Sequence, residues 1–184
     1  MQEDQKPVPE AREKSRDQRF VETVIDHCQK DKGMAARLRR ADNPATEYQS
    51  WELLGWFGVD LERDYERLPF VTIAAAIAKS KAERNGNLSL GTAIAFCYED
   101  GRTSNQAKTR LRRLLACEEM AEVCRILRPV LTLINSKVSQ PLDYARLLRQ
   151  LRFFTYESGQ KTQVQWAQEF YGQPVEAGME QGVV

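Results

Sequence analysis

"LPFVTIAAAIAKSKAERNGN", residues 68–87, decides the fold class. Its apolar residues recur with the helical period. Pro69 sits near the first turn, where a missing N–H is tolerated, and Asn85-Gly86 follows the end. An Asn-Gly pair marks a hairpin only between two alternating apolar runs. Here it separates two helical patterns, and no hairpin signal occurs elsewhere in the chain.

Working outward, the N-terminal side repeats the helical reading. Phe20, Val21, Val24, Ile25 and Cys28 form one apolar stripe. Gly33 precedes a short basic helix, "MAARLRRA" (34–41), which Asn43-Pro44 should stop. "TEYQSWELLGWFG" (46–58) reads as a helix closed by Gly58. On the C-terminal side, "LSLGTAIAFCYED" (88–100) begins at Leu88 or Ser89 and ends at Gly101. Gly91 has no side chain, so another helix is expected to pack closely there. "NQAKTRLRRLLAC" (105–117) is capped by Ser104. "EEMAEVCRILRPVLTLINSK" (118–137) is a long apolar helix that Pro129 should kink. "PLDYARLLRQLRFFTYES" (141–158) and "QKTQVQWAQEFYG" (160–172) complete the set.

The expected fold is therefore all-α, with about eight helices in two packed parts. Residues 1–18 and 173–184 lack apolar periodicity and read as mobile tails. Between them, a helical domain over 19–116 and a three-helix bundle over 117–172 are expected.

The 184 residues are 42% hydrophobic and 29% charged, an ordinary globular balance. No apolar run approaches the roughly 18 residues of a membrane span. The polar N-terminal stretch lacks the apolar segment of a secretory signal, and the expected location is the cytoplasm. Cys28, Cys97, Cys117 and Cys124 form no C-x-x-C pair. The one histidine, His27, adjoins Cys28, and adjacent helical residues do not share a face. No zinc site and no cofactor are expected, and the thiols read as reduced.

Charge is the informative feature. Lys+Arg number 27 and Asp+Glu 26, yet the signs are segregated. Lys32, Arg37, Arg39 and Arg40 give +4 over residues 32–40. Asp42, Glu47, Glu52, Asp60, Glu62, Asp64 and Glu66 against Arg63 give −6 over 42–66. Arg102, Lys108, Arg110, Arg112 and Arg113 give +5 over 102–113. Seven basic residues against Asp143 and Glu157 give +5 over 125–161. On a helical wheel Ala107, Leu111, Leu114 and Leu115 gather on one side, so the cations of 105–113 face outward. Clustered cations repel one another, and a polyanion converts that cost into attraction by counterion release. The alternative is a solvated face, or salt bridges to the acidic 42–66 block within the fold.

Other constellations are weaker. The acids of "DLERDYE" (60–66) do not converge on a metal, and the residues after them read as a loop. The acidic block suits docking of a basic neighbour. No Gly-rich phosphate loop is present, and one histidine supports no Ser-His-Asp set. Trp51, Trp56, Phe57, Phe153, Phe154, Trp166, Phe170 and Tyr171 read as core, with base stacking as the alternative.

"DKGMAARLRRA" (31–41), "LSLGTAIA" (88–95), "RLRRLLAC" (110–117) and "LDYARLLRQLRFF…WAQEFY" (142–171) follow one another in this order. Together they resemble the CasB family, the small subunit of the type I-E CRISPR surveillance complex Cascade, over roughly residues 18–172. The resemblance implies an all-α, non-catalytic subunit with two helical parts. It implies these partners: target DNA and the displaced non-target strand, guide RNA within the complex, the backbone and large subunits, and a second copy of the chain. No membrane partner is implied. Guide pairing reads the sequence, so the protein needs only to grip backbone and stabilise the R-loop. By position, Lys32, Arg37, Arg39 and Arg40 match one basic element, and Arg102, Lys108, Arg110, Arg112 and Arg113 the other. Lys79, Lys81 and Arg84 extend the track. The rival reading is an autonomous helical adaptor whose basic face docks an acidic protein. A nuclease using the acidic block is disfavoured by the lack of convergent carboxylates.

Overall fold

A computed structural model describes residues 13–154 and 159–172. The described residues form nine α-helices and no strand: α1 Arg16–Lys30, α2 Lys32–Arg40, α3 Trp51–Trp56, α4 Asp64–Ser80, α5 Leu90–Phe96, α6 Asn105–Leu115, α7 Met120–Lys137, α8 Tyr144–Arg152 and α9 Gly159–Tyr171. Two 3-10 helices, Pro44–Ser50 and Gly101–Thr103, join them. None of these helices is long and apolar enough to cross a membrane.

α4 is the centre, because its residues 68–78 are all buried. α7 packs along it, with α1, α2 and α8 on its other sides. The helix starts earlier than the sequence suggests, at Asp64 rather than near Pro69. Asp64 and Glu66 lie in its first turn, where carboxylates complement the N-terminal end of the helix dipole, and Arg67, read as loop, is helical. It also stops earlier, at Lys81, a left-handed C-cap with φ 54°. Residues 46–58 are not one helix. Asn43 caps a 3-10 helix over Pro44–Ser50, in which the Ser50 hydroxyl donates to the Glu47 carbonyl, and only Trp51–Trp56 is α-helical. Gly58 closes it with φ +63°.

Arg16, Asp17 and Gln18, expected in a tail, are the first turn of α1, with Ser15 in a capping box. Asp17 is buried and accepts from Arg152 Nη1 at 2.7 Å, tying α1 to α8. The expected tails beyond, 1–12 and 173–184, lie outside the described residues. Pro129 sits inside an unbroken α7.

The helices after residue 117 find their main partners in the N-terminal part: α7 and α8 on α4, α9 on α5. Gly91 makes the last contact possible. A Cβ there would lie 2.4 Å from the Trp166 carbonyl oxygen and 2.7 Å from the Phe170 nitrogen. Thr92 donates to the Glu169 carbonyl at 3.1 Å across the same interface. Gly86 is equally constrained, since its Cβ would overlap Pro141 O at 1.8 Å. Its N–H donates to Leu142 O at 3.0 Å, joining the α4–α5 and α7–α8 loops.

Candidate nucleic-acid interface

α6 begins where the Ser104 hydroxyl accepts the Ala107 N–H at 3.3 Å. Ala107, Leu111 and Leu114 are buried, and the helix packs on α5, α7 and α9. The remaining positions carry the charge. Arg112 and Arg113 are exposed and Lys108 is half-buried. Among the described residues none of the three has an ion-pair partner. Arg110 is half-buried, and its Nε donates to the Tyr98 hydroxyl at 2.6 Å, so its place is fixed while its charge stays uncompensated. Arg102 precedes the helix, half-buried, with Nε unpartnered.

α2 is the second basic element. Asp31 caps it, accepting the N–H groups of Gly33 at 2.7 Å and Met34 at 3.0 Å. Those two bonds, Met34's first, hold the Asp31 carboxyl below the usual carboxylate range. Met34, Ala35 and Leu38 are buried, leaving Lys32, Arg39 and Arg40 exposed and Arg37 half-buried. Arg39 Nη1 lies 3.5 Å from Ala78 O at the end of α4.

The basic positions named from sequence fall into separate groups. Arg39, Arg40 and Lys79 line one depression of about 310 Å³ together with Asp42. Arg84 lines another, with Leu131, Ile134 and the loop before α8. Lys81 is exposed between them in sequence. α2 rests on α1 and α4, whereas α6 rests on α5, α7 and α9, so the two basic helices share no principal packing partner.

The acidic block does not neutralise either basic helix. Asp42 is bound by Lys79 and by Arg128, whose Nε lies 3.2 Å from Asp42 Oδ1. Glu47 is buried and pairs with Arg67 at 2.5 Å. Arg67 also bonds Asp64 and the Leu61 carbonyl. Asp60 pairs with Arg63, and Glu66 with Arg16. Lys79 is thus engaged by an acid, unlike the cations of α6.

A further basic groove holds none of the site residues named from sequence, although its charge belongs to the basic 125–161 block and Phe153 has base stacking as its alternative reading. Arg146, Arg149 and Lys161 line a space of about 1000 Å³ between α8 and α9, with Phe153, Gln160 and Gln165. Arg146 also pairs with Glu169. The available signal was Arg146 and Arg149 at i, i+3 on one helix. Phe153, expected in the core, is 44% exposed, with the Arg152 guanidinium 5.6 Å from its ring centroid. Phe154 is core, stacked on Trp166 at 5.7 Å, and Phe170 is buried. Trp51 and Trp56 are exposed rather than core, because six-residue α3 turns only Leu53 and Leu54 inward, and Tyr171, the last residue of α9, is exposed as well. Phe57 is half-buried edge-on to Phe20.

Residues 34–171 match the family model of CRISPR-associated protein Cse2. CasB from M. ruber is 26% identical, covering 86% of this chain and 94% of that one, with a TM-score of 0.69. A CRISPR-associated protein of the Cse2 family from Thermus thermophilus is 23% identical, covering 87% and 100%, with a TM-score of 0.70. A chain of a CRISPR RNA-guided surveillance complex shares the fold at 20% identity, covering 84% and 89%, with a TM-score of 0.64. Comparison with curated proteins returns no match.

Proposed function

The chain belongs to the Cse2 family of CRISPR-associated proteins, and on that premise we propose that it is the non-catalytic small subunit of a type I-E CRISPR surveillance complex. Its basic helical surface grips nucleic-acid backbone, holding target DNA and the displaced strand so that the R-loop persists. The structural likeness to a chain of such a complex supports the assembly. The single observation that carries the strand-holding role is α6: Lys108, Arg112 and Arg113 lie on a packed helix with no ion-pair partner among the described residues. Cations left unpaired in the fold release condensed counterions from a polyanion on contact. Arginine adds a planar fork that holds phosphate oxygens in pairs. Guide pairing carries the sequence information, so a backbone grip without a base code is sufficient.

The test is fluorescence anisotropy with labelled single-stranded DNA, titrated across salt with Mg²⁺ present and a gel to detect cleavage. The wild-type chain is compared with Lys108, Arg112 and Arg113 all changed to Glu. Salt-sensitive binding of intact DNA, abolished in the triple variant, is the expected result. Equal binding by both proteins overturns the assignment to α6. Retention of an acidic protein with no DNA affinity at any salt favours the adaptor reading, and cleavage overturns the non-catalytic one.

A further inference from the structure

The 3-10 helix and α3 present a second surface, of opposite character. Tyr48, Trp51 and Trp56 are 58%, 42% and 65% exposed. Single exposed apolar residues are ordinary, but three large aromatics within nine residues form a patch. At about 100° per residue, Leu53 and Leu54 turn inward, while Trp51 and Trp56 flank an outward arc holding Glu52 and Gly55. Tyr48 lies three residues before Trp51, on its side of the arc. Gly55 leaves the middle bare, since a Cβ there meets nothing within 4 Å. The two tryptophans flank the arc, and Trp56 packs edge-on to His27 at a centroid distance of 6.1 Å.

Exposed aromatics serve base stacking or protein docking, and charge separates the two. The segment 44–56 contains no Lys or Arg. Glu52, in the centre of the arc, is exposed and has no ion-pair partner among the described residues. A nucleic-acid strand over the arc would meet the Glu52 anion, and the segment itself supplies no cation; Arg39 and Arg40 line a depression with Thr46, at the start of the 3-10 helix. Tryptophan and tyrosine ringed by polar groups are the usual anchors of protein interfaces.

We propose that this face docks a protein partner that packs an apolar side chain over Gly55, between Trp51 and Trp56, and sets a lysine or arginine against Glu52. The proposal rests on the reading of the chain as a subunit of a larger assembly. The basic face would then hold nucleic acid while the tryptophan face holds protein.

The test reconstitutes the complex from the full-length chain, the remaining subunits and guide RNA, and measures retention of this subunit by native mass spectrometry. Trp51→Ala with Trp56→Ala is expected to weaken retention about 30-fold or more, as loss of an anchor does. Glu52→Lys, at an exposed position, is expected to weaken it about fivefold. Both variants should bind single-stranded DNA as free chains with wild-type affinity. Full retention of both variants overturns the proposal. Loss of DNA binding in the tryptophan variant with intact circular dichroism also overturns it, in favour of base stacking. Failure of the wild-type chain itself to join the complex overturns the assembly reading together with the proposal, whereas the α6 variants test strand holding alone.

Discussion

The acidic block of residues 42–66 and the basic block of 102–113 look alike in sequence, each a run of one sign, but the fold treats them oppositely. Five of the seven acids are met from within: Asp42 by Lys79 and Arg128, Glu47 and Asp64 by Arg67, Asp60 by Arg63, Glu66 by Arg16, while Glu52 and Glu62 have no ion-pair partner among the described residues. They join α1, α4 and α7 to the 3-10 helix and the loop before α4. Among the described residues the cations of α6 are met by no acid, although the chain holds nearly equal numbers of each. A run of single sign therefore says little until its partners are known. Paired charge contributes to the fold, and unpaired charge on a rigid helix remains available to another molecule.

The largest effect that bears on this contrast is expected at Arg67. Arg67→Ala leaves the buried Glu47 carboxylate without its partner, and urea unfolding should show a loss of about 3 kcal/mol. A loss under 1 kcal/mol would mean that the acidic block does not hold the fold together. Changing Lys108, Arg112 and Arg113 to Ala is the complementary measurement. Stability should change by no more than about 0.5 kcal/mol. The log–log salt slope of single-stranded DNA binding should fall by about 2, at roughly 0.7 per lost phosphate contact. A large stability loss there would place these cations with the structural ones.

Ser104→Ala removes the cap that starts α6 and should cost about 1 kcal/mol by thermal or urea unfolding. Lys79→Ala should leave DNA affinity within about twofold, because Asp42 already offsets that charge. A tenfold loss would return Lys79 to the binding face and weaken the rule that pairing decides.

The smallest effect expected is in thiol chemistry. Burial pushes the Cys124 thiol from 9.0 up to about 11, and burial also raises Cys28, Cys97 and Cys117. The folded chain therefore keeps the Cys124 proton where the unfolded chain releases it. That contribution to stability is complete below pH 9 and is lost as the pH rises through 11. At about pH 8, alkylation of the native protein should reach half-buried Cys28 first and Cys124 only on unfolding, read by mass spectrometry.

Much of the architecture was legible in advance. The stripe Phe20, Val21, Val24 and Ile25, the cap Ser104 and the need for Gly91 to admit another helix are local or nearly local signals, and each is found. The misreadings lie where a short element meets a distant one. Residues 46–50 take a 3-10 form, with Glu47 turned in to Arg67, twenty residues on. Trp51 and Trp56 have core-like spacing but sit on a helix too short to bury them. The α8–α9 groove needs two helices to exist: the basic 125–161 run and Phe153 are visible in the sequence, but the wall that α9 supplies is not.

The sequence by itself determined the all-α class, the approximate places of the longer helices and the outward arc of α6, because periodicity, caps and turn residues act within a few positions along the chain. Only the tertiary structure decided which charges are neutralised and which aromatics stay in water. Ion pairs and burial join residues tens of positions apart, such as Arg152 with Asp17 and Arg128 with Asp42, and no local pattern carries the identity of a distant partner.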